Sequence, residues 1–344
     1  MNLTPSPEQA QFAAALHDLL TESPVGVGPN RVGSERAGVW ARLAGVGVTG
    51  LLVPERWGGS GGDPSDLVVA AEELGHHAVP GPLAESVAAV PALLRAIGGG
   101  AADEWLPELA AGRLIATLAA PPWLPLAADA DLAGLVLHVT PASVRLARPG
   151  SCHPSMDASR QLFEVSPGEL VATGVPAAHA LDLGVLTCSA QLLGAARALL
   201  EASIRHAVNR VQFGHPIGTF QAVQHLLADV AVAIEFARPL LHAAAVSLTP
   251  PATTAAGDGP ASGAAAGRAG VDVCPPRDVS AAKVACGDAA VLAARTALQI
   301  HGAIGYTEEH GLGRWLTKVR VLALAWGTPS QHRARIMTEL ARHR

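Results

Sequence analysis

Three short passages gather side chains able to do chemistry. The first is Arg210-Val-Gln-Phe-Gly-His-Pro-Ile217, followed by Phe220 and Gln221. A guanidinium keeps its charge at any ordinary pH and forks onto two phosphate oxygens. Aromatic rings beside it, Phe213 and Phe220, offer flat faces to a heterocycle, and the amides of Gln212 and Gln221 add hydrogen bonds. The second is Gln299-Ile-His-Gly-Ala-Ile-Gly-Tyr306, where Gly302 lets the backbone approach a ligand closely. The third is Trp326-Gly-Thr328. Taken singly, Arg210 also reads as a surface or ion-paired arginine, Phe213 as plain core, and Gln299 as nothing in particular. Proton removal needs a positioned group with a tuned pKa within reach of the proton. Asp182, Glu308 and Glu309 are the acids near these passages.

Other patterns lead nowhere. His301 and His310 with Glu308 and Glu309 lack a metal-ligand spacing, so no metal site is expected. Gly58-Gly59-Ser-Gly61-Gly62 follows an apolar run but is not GxGxxG, and no βαβ unit follows it. Ser151–His153 is no hydrolase elbow.

These passages must be held by elements that the rest of the chain encodes. The 344 residues are 49% hydrophobic, 15% charged and only 3% aromatic, so Ala, Leu and Val must fill the core. A net charge of −5 lacks the basic footprint of a nucleic-acid binder. Apolar stretches are interrupted before about 20 residues, so no membrane span is expected. Cys152, Cys188, Cys274 and Cys286 are scattered, which predicts a reducing, cytoplasmic setting. Periodicity predicts helices over 8–20, 39–52, 65–74 (capped by Ser65 and closed by Gly75), 83–97 and 103–111. Short β-like runs follow at 135–139, 143–146, 162–165 and 170–173. Long helices return at 183–209, at 220–246 (with a kink or break at Pro239), at 280–301 and at 329–344. The expected organisation is a helical domain over 1–116, a small β domain over 117–175 and a helical bundle over 176–344. Residues 249–278 hold almost no large apolar side chain and read as a flexible linker.

Four passages together resemble the acyl-CoA dehydrogenase family: Gly50-Leu-Leu-Val-Pro-Glu-Arg-Trp-Gly-Gly59 with Glu72-Glu73-Leu74-Gly75; the Arg210–Gln221 passage with Ala228-Asp229; the Gln299–Tyr306 passage with Glu308; and Trp326-Gly-Thr328. They run in the family's order and cover most of the chain. The resemblance implies a mostly α fold with a small central β domain, and FAD held across a subunit interface. Arg210, Gln212, Phe213, Phe220 and Gln221 then match residues at the pyrophosphate and adenosine. Gln299, Ile300, Gly302 and Ala303 match a backbone loop against a second cofactor's phosphates and ribose, and Thr328 a further cofactor contact.

The family places its catalytic glutamate at one of two positions, which fall here on Gly184 and Trp326, so no catalytic residue is expected. Asp182 lies about 200° round a helix from Gly184, on another face, and Glu308 matches a family acid that is not the base. The flavin-contacting acidic and hydroxyl residues of the middle domain are absent from Thr117-Leu-Ala-Ala-Pro-Pro-Trp-Leu-Pro125, and the β region is about half the usual length. The chain therefore resembles the small, base-lacking subunit of actinobacterial α2β2 enzymes acting on steroid side-chain CoA thioesters. On this expectation it shares FAD with a partner subunit that carries the glutamate. Two alternatives stay open: an active homo-oligomer with a relocated base, and a non-enzymatic scaffold or acyl-CoA-binding protein derived from the fold.

Overall fold

Ala-rich segments favour helix, and helices dominate the computed structural model, which describes residues 3–22, 32–249, 273–307 and 311–342. Helices α1 (Pro7–Glu22), α2 (Val32–Gly45), α3 (Pro64–His76), α4 (Val90–Ile97) and α5 (Gly99–Ala110) form the N-terminal part, with a π-helical turn at Ala84–Ala89 running into α4. The cap of α3 is Asp63 rather than Ser65. Its carboxylate accepts from the Ser65 and Asp66 amides while Asp66 reaches back to the Asp63 amide at 2.9 Å, a reciprocal box that a hydroxyl at Ser65 does not build. Gly75 does not end the helix, which runs on to His76. Gly75 is instead a packing site. A Cβ there would strike the Gln191 backbone, and one at Gly194 would strike the Glu72 carbonyl, so α3 and the long helix α6 (Ala178–Asn209) cross backbone to backbone.

The middle part is a five-stranded sheet of order β1-β3-β4-β5-β2, from β1 (Ala116–Ala119), β2 (Ala127–Ala128), β3 (Leu135–Val139), β4 (Ser143–Pro154) and β5 (Gln161–Thr173). β1 and β3 are parallel and the other pairs antiparallel.

Helices α6 (Ala178–Asn209), α7 (Gln221–Leu248), α8 (Pro275–His301) and α10 (Pro329–Arg342) form the bundle. Between α6 and α7, β6 (Val211–Gln212) and β7 (His215–Pro216) make a small hairpin. The break expected at Pro239 does not occur. Proline's fixed φ suits a helix, and the turns after it bury Leu241, Ala244, Ala245 and Leu248, which offsets one lost hydrogen bond. Residues 275–278, expected as linker, are instead the first turn of α8, with Asp278 accepting from the Cys274 amide at 3.2 Å. Residues 250–272 of that linker lie outside the described residues. A short helix, α9 (Gly313–Leu324), was not expected. Trp315, Leu316, Val319, Leu322 and Ala323 lie at helical spacing in it, so an apolar stripe was there to be read. Tertiary partners hold it: the buried Lys283 ammonium donates to the Leu322 carbonyl at 2.8 Å, and Lys318 to that of Val79 at 2.8 Å.

Contrary to the sequence expectation, α6 and α7 are each long and apolar enough to cross a membrane by length and composition. The most apolar window of α6 is 89% buried within the protein, as in the core helix of a bundle.

Candidate functional site

The two positions at which a glutamate was sought meet in space. Gly184 lies in the second turn of α6, and a Cβ there would collide with the six-membered ring of Trp326. The indole therefore occupies the surface that Gly184 leaves free. Trp326 is 3% exposed and sits in the left-handed region (φ 58°), an uncommon conformation for a bulky residue. What holds it is the buried His332. Its Nε2 lies 2.9 Å from the Trp326 carbonyl and its Nδ1 lies 3.1 Å from the Ser280 hydroxyl. A carbonyl only accepts, so Nε2 carries the proton and Nδ1 accepts from Ser280. Burial pushes the imidazole down to about 4, keeping it neutral. Gly327 leaves room for His332 and Trp123, whose rings stand edge to face 5.1 Å apart. Thr328 caps α10: its hydroxyl and amide both donate to the Gln331 side chain, at 2.9 and 2.7 Å. That hydroxyl, assigned from sequence to the cofactor, is already engaged in the fold.

Beside Trp326 opens a pocket of ≈460 Å³ between the Ala120–Leu124 segment, the β3–β4 turn, the start of α6 and Arg335 of α10. Asp182 does line it, although helical geometry alone put it on another face from Gly184: Trp326 is broad enough to border both. Its carboxylate is closed off by a two-pronged pair with Arg335, 2.6 Å to Nη1 and 3.0 Å to Nη2. Four prolines in the wall (Pro121, Pro122, Pro141, Pro176) carry no N–H, and the Thr140 hydroxyl is donated to the Ser143 carbonyl at 3.1 Å. A second hollow of ≈320 Å³, also largely apolar, lies between Trp123, the Pro154–Met156 turn and α9.

On its other side Trp326 abuts a buried polar cluster around a small cavity of ≈20 Å³, lined by Glu85, Asp157, Arg160, Gln191 and Lys318. Glu85, on the π-helical turn, is 4% exposed and shares the wall of this cavity with Trp326. Burial raises its carboxyl to about 7, against the opposing pull of Arg160 and its hydrogen bonds. Sequence reading missed Glu85; a lone acid in an apolar run, Ala84-Glu-Ser-Val-Ala-Ala89, was the available signal.

The remaining sequence-predicted residues gather at the opposite character of surface. Arg210 ends α6 in extended conformation, and the hairpin turns at Phe213, which is 91% exposed with φ 53°. Phe220 stands edge to face with it, centroids 6.3 Å apart, and Gln221 opens α7. The Gly302–Tyr306 turn that follows α8 lies near the same end, since His301 stacks on His206 of α6 at 4.3 Å. Gly302 has φ 61°, Gln299 and Ala303 are exposed, and Ile300 is 9% exposed and packs inward. Of the predicted set, Ile300 and Thr328 are thus built into the fold, and the others face outward.

Whether FAD fits therefore depends on which end of it is considered. An outward guanidinium, two rings and a glycine-opened turn suit a pyrophosphate and adenosine. The Thr117–Pro125 stretch does not suit a flavin ring: the Thr117 hydroxyl is buried, and the pocket beside it has a proline-rich wall poor in donors.

Residues 6–113 match the N-terminal domain of acyl-CoA dehydrogenases and residues 175–341 their C-terminal domain. The chain is 31% identical over 325 residues to acyl-CoA dehydrogenase IpdE2 of Mycolicibacterium smegmatis, covering 93% of this chain and 90% of that protein. Its fold is similar to a chain of the ChsE4-ChsE5 complex from Mycobacterium tuberculosis (TM-score 0.79, 21% identity, 99% of each chain). It is also similar to a chain of the Tcur3481-Tcur3483 steroid ACAD (TM-score 0.76, 20% identity, 98% of each chain).

Proposed function

The chain belongs to the acyl-CoA dehydrogenase family, and from that premise we propose that it is the base-lacking subunit of a heteromeric, FAD-dependent acyl-CoA dehydrogenase. The observation that carries this reading is the packing of Trp326 on Gly184, which places an indole against a glycine where the family needs a carboxylate. The partner subunit supplies the glutamate and the flavin pocket. This chain supplies Arg210 to the pyrophosphate, Phe213 and Phe220 to the adenosine side, and the Gly302–Tyr306 turn to phosphate or ribose. FAD, when bound, accepts the hydride in α,β-dehydrogenation of an acyl-CoA thioester.

Support for a partner comes from the exposed apolar side chains of the bundle, Val208, Phe213, Val232 and Phe236 among them, because large apolar groups clustered on a surface mark subunit contacts. Two of the similar structures are themselves two-component complexes. An α2β2 assembly in the cytoplasm, and a bulky acyl group such as a steroid side chain, belong to the same proposal. The apolar ≈460 Å³ pocket and the steroid ACAD likeness favour them.

The test is the visible spectrum of the chain purified alone and then co-expressed with a neighbouring acyl-CoA dehydrogenase gene product. A colourless chain alone, and one FAD per pair of chains together, is the expected result. One FAD per isolated chain overturns it. A partner-bound structure without extra space beside the substrate would remove the bulky-acyl element.

One observation favours a second reading, an active enzyme with a relocated base. Glu85 is buried beside Trp326 with its carboxyl near 7, the range a general base needs. In that case the isolated chain is yellow and bleaches with an acyl-CoA, and Glu85→Gln abolishes bleaching while the flavin stays bound.

A further inference from the structure

Away from both regions, three imidazoles and a carboxylate converge where α1 crosses the end of α3. Glu73 and His76 belong to the last turns of α3, and His77 is its C-cap. Residues three and four apart on a helix share a face, so the three side chains point the same way. His17 arrives from α1. His17 Nδ1 lies 2.9 Å from Glu73 Oε2 and 3.2 Å from His77 Nε2. The three rings sit with centroids 4.7 to 5.1 Å apart. One ligand atom from each of the four residues lies within 4.8 Å of all the others.

Hydrogen bonding alone leaves this group incomplete. His76 is only 9% exposed, and its Nδ1 is buried with no hydrogen-bond partner. Its other nitrogen, Nε2, meets the Glu201 carboxylate at 3.0 Å. A carboxylate on the far nitrogen is the usual outer support of a metal-bound histidine, since it fixes the tautomer and leaves the near nitrogen as a lone pair. Glu73 is arranged likewise: Oε1 accepts from Arg197 at 3.0 Å, and Oε2 faces the imidazoles.

We propose that His17, Glu73, His76 and His77 form a site for one divalent transition metal of the zinc type. Imidazole nitrogen and carboxylate oxygen are ligands of choice for such an ion. Four donors give a closed tetrahedral shell, which is the pattern of a structural rather than a catalytic site. Tetrahedral bonds of about 2.0–2.1 Å set donor atoms roughly 3.4 Å apart, so the two His17 Nδ1 contacts at 2.9 and 3.2 Å open slightly and the longer separations, all within 4.8 Å, close by small side-chain movements. His17 is partly exposed and provides the entry path. The ion would join α1 to α3 and, through Glu201 and Arg197, to α6. Arg314, stacked on the Trp315 ring, adds positive charge near His77 and tempers the affinity. The site is independent of the Trp326 region and of the Arg210 end, and it stands whether or not this chain has a partner.

The test uses the full chain, stripped with a chelator and titrated with Co²⁺, whose tetrahedral complexes absorb strongly in the visible. One Co²⁺ per chain with that absorption, displaced by one equivalent of Zn²⁺, is expected. His17→Ala and His77→Ala should each lower the affinity at least tenfold. Glu201→Gln, outside the ligand shell, should lower it by roughly tenfold or more while keeping the tetrahedral spectrum. His17→Gln, which retains size and polarity on a partly exposed helix face, guards against loss by misfolding and should also lose the ion. Zn²⁺ should raise the melting temperature of the wild type and not of the His17→Gln, His77→Ala double variant. Absence of a tetrahedral Co²⁺ spectrum, or binding that survives both single histidine substitutions, overturns the proposal.

Discussion

The Arg210 end of the bundle and the Trp326 region differ in how each treats a large aromatic residue at positive φ. Phe213 stands 91% exposed at φ 53°, with Phe220 as a ring neighbour. Trp326, at φ 58°, is 3% exposed and packed on Gly184, with its carbonyl held by His332. A bulky residue in the left-handed region costs free energy. At Trp326 the cost is offset inside the chain by packing. At Phe213 the positive φ belongs to the two-residue turn of the β6–β7 hairpin, shared with Gly214 at φ 83°, and the ring itself is left exposed. The contrast teaches that the Arg210 end leaves its aromatic ring open to a ligand or a neighbour, while the space beside Gly184 is taken by the indole.

The sharpest way to break this comparison is to put the base back. Gly184→Glu drives a side chain into the indole and adds a carboxylate to a packed site, so it should destabilise the chain by about 3 kcal/mol or more. Denaturant midpoints would measure it. A Gly184→Glu variant as stable as wild type would mean that Trp326 moves freely and that the site is not closed. The pH dependence of the same region comes next. The Glu85 carboxyl rises from 4.5 to about 7 on folding. Between those values the folded chain holds a proton that the unfolded chain has lost, so this group's contribution to stability falls as pH rises from about 4.5 to about 7 and is level above. The loss is on the order of 3 kcal/mol at full shift. Glu85→Gln should therefore gain relative to wild type on going from pH 5 to pH 8, read as the difference between their unfolding curves.

At the open end, Arg210→Ala should leave the stability of the isolated chain within about 0.5 kcal/mol and lower FAD affinity of the co-expressed pair at least tenfold, about 1.4 kcal/mol. Flavin content after dialysis would show it. Unchanged content would favour the non-enzymatic scaffold. The smallest effect is expected at Thr328→Ala. Loss of the α10 cap should cost about 1 kcal/mol of stability, with flavin content unaltered if the hydroxyl serves the helix rather than the cofactor. Loss of flavin without loss of stability would restore Thr328 to the cofactor side.

Much of the architecture was legible because it is locally encoded. The apolar spacing of Phe12, Leu16, Leu19 and Leu20 predicted α1, and the long Ala- and Leu-rich runs predicted α6, α7 and α8 within a few residues. The β-like runs at 135–139 and 143–146 fall on β3 and β4. Where local signals were weak or competing, the reading slipped. Ser65 reads locally as a cap that Asp63 makes, and Pro239 as a kink or break, of which the break is prevented by the buried second half of α7. α9 carries helical apolar spacing at Trp315, Leu316, Val319 and Leu322 but is short, and its placement is fixed by Lys283 and Lys318.

Sequence by itself thus determined the order of helices and sheet, the likeness to a family, and that Gly184 and Trp326 stand where that likeness leads one to look for a carboxylate. Each is a property of residue types and near-neighbour spacing, which a linear chain carries openly. Only the tertiary structure decided that Gly184 and Trp326 fill one volume, that Asp182 is tied to Arg335, that Glu85 is buried beside the indole, and that His17 joins Glu73, His76 and His77. Those are contacts between elements far apart in the chain. They depend on crossing geometry, which glycines such as Gly75 and Gly194 set by allowing backbones to touch, and no local periodicity records which distant side chain will arrive there.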